Sequence, residues 1–341
     1  MTQQLEIFNR SWTWHGEPES APVELRGRAA ADMTPVKANP VRSVYFFQLP
    51  SGPGFYLKYD HPTDLAQRCK AFFYRKVQRE YAAAQRLERK RIPVVKYLGW
   101  GQSGSDGLLI SRALPEVTGG KEYWFRVVGT AVDQQRHFLA LLSGLARQVI
   151  DAGLYHPDFH IGNVLVDAAG KQVTLVDPYG IRSVGRLTPG QRLQMIKILI
   201  DFRGELAPAI AQEWLLDAGL ATTEPEAESM WRQAIDAEER EIADGWPKRR
   251  QQILSGHSKF STAVKRAGAV WHIRHTMWYQ GPARPEQFQI DPQWQVEELS
   301  GEEARERWLE SFRRQLLRQP GRRPLLWIQQ EHDRDLLYYQ D

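Results

Sequence analysis

The sequence predicts an α+β fold of two lobes with a further segment at the end, and three observations predict it. Strand patterns come first along the chain and helical patterns follow. The 341 residues exceed one small core and suffice for two lobes plus an extension. From Gly245 to Pro285 the composition shifts, with no Asp or Glu at all. Apolar residues are 42% of the chain and charged residues 25%, the balance of an ordinary folded protein.

Residues 1–40 carry scattered Pro and Gly and predict no regular element, so 1–20 read as an N-terminal extension. Ser43 to Leu49 is aromatic and β-branched, Ser51-Gly-Pro-Gly54 is turn chemistry, and Phe55 to Tyr59 returns. These are two strands, with Lys58 on the second. From Asp64 to Arg91, Leu65, Cys69, Phe72, Val77, Tyr81, Ala84 and Leu87 recur near the helical period, on one helix or two. Glu80 falls on that apolar face, where a carboxylate needs a partner. Ile92-Pro93 ends the helical pattern. Strands follow around 94–99 and 107–111. Asp133 to Ala152 reads as a helix, with Gly153 suited to its C-terminal cap. Residues 189–245 read as helical, and 301–341 as amphipathic.

Cys69 is the single cysteine, so no internal disulfide is expected and nothing suggests an oxidising compartment. No basic-then-apolar leader opens the chain. No uncharged run approaches the ~20 residues of a membrane span. A cytoplasmic protein is expected, with any membrane contact peripheral at the inner membrane.

The chemistry concentrates in His156 to Arg182. Val164-Leu-Val and Val173-Thr-Leu-Val flank a turn at Ala168-Ala-Gly170 and predict a hairpin. Pairing centred on Gly170 sets 163 opposite 177, with their Cβ atoms ~5 Å apart. The Asn163 amide oxygen and the Asp177 carboxylate would then form a hard-cation site suited to Mg²⁺. Asp158 enters the same end five residues before Asn163, placed to accept a proton from a nucleophilic hydroxyl. His156 and His160 lack a third ligand nearby, so zinc is not expected.

His156-Pro-Asp158 with Asn163 resembles the catalytic loop of protein kinases, and Asp177-Pro-Tyr-Gly180 stands where their metal-binding Asp motif lies. Lys58 and Glu80 resemble the kinase ion pair that holds the ATP phosphates. Local wording narrows the resemblance. Phe55-Tyr-Leu-Lys58, Arg79-Glu80-Tyr-Ala-Ala-Ala-Gln85, Arg91-Ile-Pro-Val-Val95 and Asp158-Phe-His-Ile-Gly-Asn163 are similar to the bacterial lipopolysaccharide kinase family of Kdo and core-heptose kinases. The resemblance covers about 43–182. It implies a two-lobed protein-kinase-like fold with ATP and Mg²⁺ as cofactors. Lys58, Arg112 and Leu114 would hold the nucleotide, the last two at the hinge. The acceptor would be a lipid-linked or phosphorylated sugar of the lipid A–core. Aminoglycoside phosphotransferases share the Asp-x-His wording, and a pseudokinase binding module is the remaining alternative. No glycine-rich phosphate loop precedes Ser43, and no A-P-E signature follows.

The expected boundaries are an N-lobe over 21–114, a C-lobe over 115–245 and a helical, basic, Trp-rich segment over 246–341. Its acid-free part holds Lys248, Arg249, Arg250, Lys259, Lys265, Arg266, Arg274 and Arg284 among Trp246, Phe260, Trp271, Trp278 and Tyr279. Charge mixed with amphipathic rings suits an anionic membrane or sugar phosphates. Nucleic acid would show the same signature, but no nucleic-acid motif accompanies it.

Overall fold

The computed structural model describes residues 3–16, 25–50, 52–129, 131–200, 202–204, 206–256, 260–274, 293–317, 324–330 and 334–339. The chain divides into two compact units, Met1–Ala234 and Ile235–Asp341.

The first unit opens with β1 (Gln3–Ile7) and β2 (Arg10–Gly16), then β3 (Thr34–Asn39), β4 (Arg42–Gln48) and β5 (Gly54–Asp60). Helices α1 (Leu65–Phe73) and α2 (Lys76–Arg89) precede β6 (Tyr97–Ser103) and β7 (Asp106–Arg112). All seven strands form one antiparallel sheet in the order β1-β2-β6-β7-β5-β4-β3. Leu5, Ile7, Trp12 and Trp14 alternate inward from the first two strands into its core. Residues 3–16 are therefore sheet, not an irregular extension. Phe8 and Asn9 make the tight turn between them, with φ of 58° and 56°. Two left-handed residues give the type I′ turn that matches strand twist. The Phe8 ring pays for its conformation by packing on Tyr45 and Tyr59. Thr34–Asn39 is likewise a strand, joined to β4 by a two-residue turn at Pro40-Val41.

Below the sheet come β8 (Val117–Gly119), the short α3 (Gly120–Tyr123) and α4 (Val132–Asp151). Helix α4 ends at Gly153, whose φ of 67° suits a C-terminal cap. Then follow β9 (Leu154–Tyr155), β10 (Val164–Asp167), β11 (Val173–Leu175) and β12 (Arg182–Ser183). Helices α5 (Pro189–Ile200), α6 (Pro208–Asp217) and α7 (Glu224–Leu254) complete the run, with the unit boundary inside α7. A strand-rich part followed by a helical part is compatible with a kinase-like fold.

The second unit differs from the helical extension expected. It carries β13 (Ser261–Arg266), β14 (Ala269–Arg274), β15 (Gln295–Ser300), α8 (Gly301–Leu316), β16 (Pro324–Gln329) and β17 (Arg334–Tyr339). The strands form an antiparallel sheet in the order β13-β14-β16-β17-β15. Val270-Trp271-His272-Ile273 is β-branched and aromatic, and Ala267-Gly268 turns with φ of 49° and 78°, so local preference agrees with strand. Ser300 and Glu303 close a capping box on α8. Trp308, Leu309 and Phe312 of that helix pack with Trp327, Leu337 and Tyr339.

The acid-free stretch is not a uniform open basic face. Arg274 is 2% exposed, donates to the Pro324 carbonyl at 2.8 Å and lies 3.6 Å from the Phe312 ring centre. Arg250 pairs with Glu306 at 2.7 Å. Trp246 packs on a core cluster, and Arg266 covers Trp271 at 4.8 Å. For Arg250, the acid missing from the stretch itself is supplied by α8. Lys259, Trp278, Tyr279 and Arg284 lie outside the described residues. Among the described residues, no helix is long and apolar enough to cross a membrane.

Candidate active site

The site lies within the first unit. Lys58 stands on β5 and Glu80 on α2, and their side chains meet at 2.5 Å. Glu80 is fully buried, so the carboxylate depends on its partners. It accepts from Lys58, from the Tyr97 hydroxyl at 3.2 Å and from Arg42 at 3.3 Å. Burial pushes the Glu80 carboxyl up, and the two cations oppose that rise. Arg42 also pairs with Asp60 at 2.5 Å across the β4–β5 ladder, where the two residues are directly opposite. Sequence reasoning singled out neither Arg42 nor Tyr97.

Lys58 Nζ also lies 3.2 Å from Asp177 Oδ1. Burial raises the Asp177 carboxyl, but Lys58 and then Arg42 outweigh it and hold the group below the ordinary carboxylate range. The Asp177 backbone N–H donates to the Tyr97 hydroxyl at 3.3 Å. Two cations, Lys58 and Arg42, thus face three carboxylates, Asp60, Glu80 and Asp177.

The β10–β11 register differs by one residue from that expected. Val166 pairs with Val173 and Val164 with Leu175, and Val176 N–H donates to the Asn163 carbonyl at 2.9 Å. Asn163 therefore stands opposite Val176, not Asp177. The cause is the turn. Asp167 Oδ1 accepts from the backbone of both Lys171 and Gln172 at 2.7 Å, so the loop closes on Asp167 and Gly170 is not its centre. Asp177 then leaves the strand direction with φ of 53°. Asn163 and Asp177 nevertheless line the same cleft.

Asp158 sits on the loop before a 3₁₀ turn, Ile161–Asn163. Asn163 Nδ2 donates to the Asp158 carbonyl at 3.0 Å, which leaves Asn163 Oδ1 as its remaining polar atom. The Asp158 side chain is 67% exposed. His156 is fully buried and accepts the Asp158 N–H on Nδ1 at 3.2 Å. Burial brings its pKa down to about 4, so the ring is neutral at pH 7. His160 Nδ1 accepts the Gly162 N–H in the same way, at 3.0 Å. Both rings pin the loop.

The cleft has a volume of about 490 Å³. Val36, Val44 and Tyr56 from the sheet line it, with Leu165 and Val176 from the hairpin. Arg112, Ala113 and Leu114 line it where β7 leaves the sheet. Apolar walls from two elements suit a flat ring, and Lys37, Arg42 and Lys58 supply cations in the same space. Lys58, Asn163, Asp177, Arg112 and Leu114 thus share one cleft. Glu80 stands behind Lys58, and Asp158 is tied in through Asn163.

No protein family and no curated protein matches the sequence. Among solved structures, the chain is similar to WaaP in complex with acyl carrier protein. Identity is 16%, over 59% of this chain and 87% of that one, with a TM-score of 0.45.

Proposed function

We propose that this chain is an ATP- and Mg²⁺-dependent phosphotransferase acting on a sugar hydroxyl. The observation that carries the reading is the convergence of Lys58, Asn163 and Asp177 on one cleft, with Glu80 buried behind Lys58. Lys58 would hold nucleotide phosphates, and Glu80 would hold Lys58. Arg112 and Leu114 would border the base. Asp158 would orient the acceptor hydroxyl and take its proton. The acceptor oxygen bonds to the γ-phosphorus, the bond to the β,γ-bridging oxygen breaks, and ADP leaves.

The donor set fits Mg²⁺. Asp177 Oδ1 is buried and makes an ion-pair approach to Lys58 without a well-formed hydrogen bond. Asn163 offers an amide oxygen, and the cluster has one more carboxylate than cations. Hard oxygen ligands of this kind, with phosphate oxygens beside them, are what Mg²⁺ takes. When bound, the ion would neutralise charge on the transferring phosphates.

The wording of Phe55–Lys58 and Asp158–Asn163 favours an acceptor in the lipid A–core of lipopolysaccharide. The test is phosphate transfer from labelled ATP to core fragments by wild type and Asp158→Asn. The variant should fold and bind nucleotide normally, because the side chain is 67% exposed. Turnover should fall by about 10²–10⁴-fold. Turnover close to wild type would overturn the assignment.

A further inference from the structure

A second cavity, of about 510 Å³, lies between α2 and the segments that flank the candidate catalytic residues, one just before Asp158 and one just after Asp177. Arg79, Ala82 and Arg86 fall on one stripe of α2, three and four residues apart. The other walls are Tyr155, Pro157 and the run Tyr179-Gly180-Ile181-Arg182. Pro157 precedes Asp158, and Tyr179 follows Asp177 by two, so the cavity borders both loops of the transfer centre.

Three guanidinium-bearing residues line this space and no carboxylate does. Arg79 lies 3.4 Å from the Tyr74 ring centre, and Arg182 lies 5.3 Å from that of Tyr155. Arg86 donates through Nη1 to the Ile181 carbonyl at 3.0 Å. Among the described residues, none of the three pairs with a carboxylate. Ala82 and Ala83 keep the floor open, and the Tyr74 and Tyr179 hydroxyls stand at the wall, 3.2 Å apart. Burial, then Tyr74, pushes the Tyr179 phenol up to about 12, so it keeps the proton that it donates to the Tyr74 hydroxyl.

A concave surface lined by one sign of charge raises the local concentration of the opposite ion. Guanidinium forks match carboxylate and phosphate geometry. The volume is that of a small-molecule pocket, larger than a bare anion requires. We propose that this cavity is a second ligand site, separate from the nucleotide cleft, that takes a phosphate or carboxylate group on Arg79, Arg86 and Arg182. That group arrives either on a sugar or as a free anion. Its role as an acceptor subsite rests on the phosphotransferase reading above, while the anion site itself does not. A polycationic acceptor of the aminoglycoside kind would be repelled there.

The test is calorimetry on the full chain at low salt with inorganic phosphate, glucose 6-phosphate and uncharged glucose. Wild type should bind the charged probes and ignore glucose. Arg79→Gln/Arg182→Gln should lose at least tenfold in affinity, while Mg-ADP binding stays unchanged. Arg86 is left in place because it also holds the Ile181 carbonyl. If the double variant melts early, the exposed Arg182→Gln alone should still lose severalfold. Tighter binding of glucose 6-phosphate than of phosphate identifies a sugar-borne group, and equal binding a free anion. No binding of either charged probe overturns the proposal, as does affinity that survives the double variant. Binding lost in Lys58→Met instead would place the anion in the nucleotide cleft and also overturn it. A wild type without ATP turnover would refute the phosphotransferase reading and leave these results to judge the pocket.

Discussion

Truncating Glu80 to alanine strips Lys58 and Arg42 of the carboxylate they share. Removing one partner of a buried ion pair costs about 3–5 kcal/mol, because a charge is left uncompensated. The surroundings decide where in that range the cost falls. Arg42 keeps Asp60 at 2.5 Å, and Lys58 keeps Asp177 at 3.2 Å. Both cations retain a counter-charge, so Glu80→Ala should cost about 3 kcal/mol, the lower end. Lys58→Met leaves Glu80 with Arg42 at 3.3 Å and the Tyr97 hydroxyl at 3.2 Å, and should cost about 2–3 kcal/mol. The double variant removes both charges together and should cost little more than Glu80→Ala alone. The coupling energy is then about 2–3 kcal/mol. A chain of two compact units need not melt in one step. Native-state amide exchange of β5 and β7 therefore reads the relevant unit directly. Losses that add to within about 0.5 kcal/mol would refute the idea that the residues act as a pair.

Two further outcomes follow from the same geometry. Asp177→Ala should abolish the Mg²⁺ dependence of ADP binding, measured by titration with and without the metal; an unchanged dependence sinks the metal assignment. His156→Gln should flatten the fall in stability on acidification. The unfolded imidazole takes its proton near 6.5 and the folded one only near about 4, so wild type loses stability as pH drops through that window. The loss totals about 3 kcal/mol at 1.36 kcal/mol per unit. Urea melts of the variant between pH 7 and 4 that parallel wild type would contradict this.

Strands β4 and β5 were legible from aromatic and β-branched runs on either side of the Ser51-Gly-Pro-Gly54 turn, and helix α2 from its undisturbed period. Glu80 was legible as a group in need of a partner because it is a carboxylate on an apolar helix face, and the resemblance to kinases supplied Lys58 as that partner. The opening hairpin was missed although Leu5-x-Ile7 and Trp12-x-Trp14 alternate cleanly. Its turn is Phe8-Asn9, and phenylalanine at positive φ is held by ring contacts from other strands. Such contacts have no local signal. The hairpin at Asp167 was legible as a hairpin but not in register, since one side-chain cap moved the pairing by a residue. Arg42 and Tyr97 joined the site through sheet pairing and a loop return, neither of which a linear motif records. The arginine-lined cavity draws on α2, the segment at Tyr155–Pro157 and the run after Asp177, so it existed only once those were folded together.

The pairing of β2 with β6, from Thr13↔Gln102 to Gly16↔Gly99, has a consequence for biosynthesis. Gly99 is the point of closest approach, where any Cβ would strike the Trp14 ring and the His15 carbonyl. The hairpin that carries Trp12 and Trp14 leaves the ribosome long before β6 exists. Two strands alone are marginal in water. Until translation reaches Gly99, the β2 edge of that hairpin has no partner strand. Its docking closes the longest loop in that sheet, a slow kind of step. The nascent chain therefore presents an aromatic, unpaired strand edge during elongation, the feature that holdase chaperones bind and that aggregation exploits.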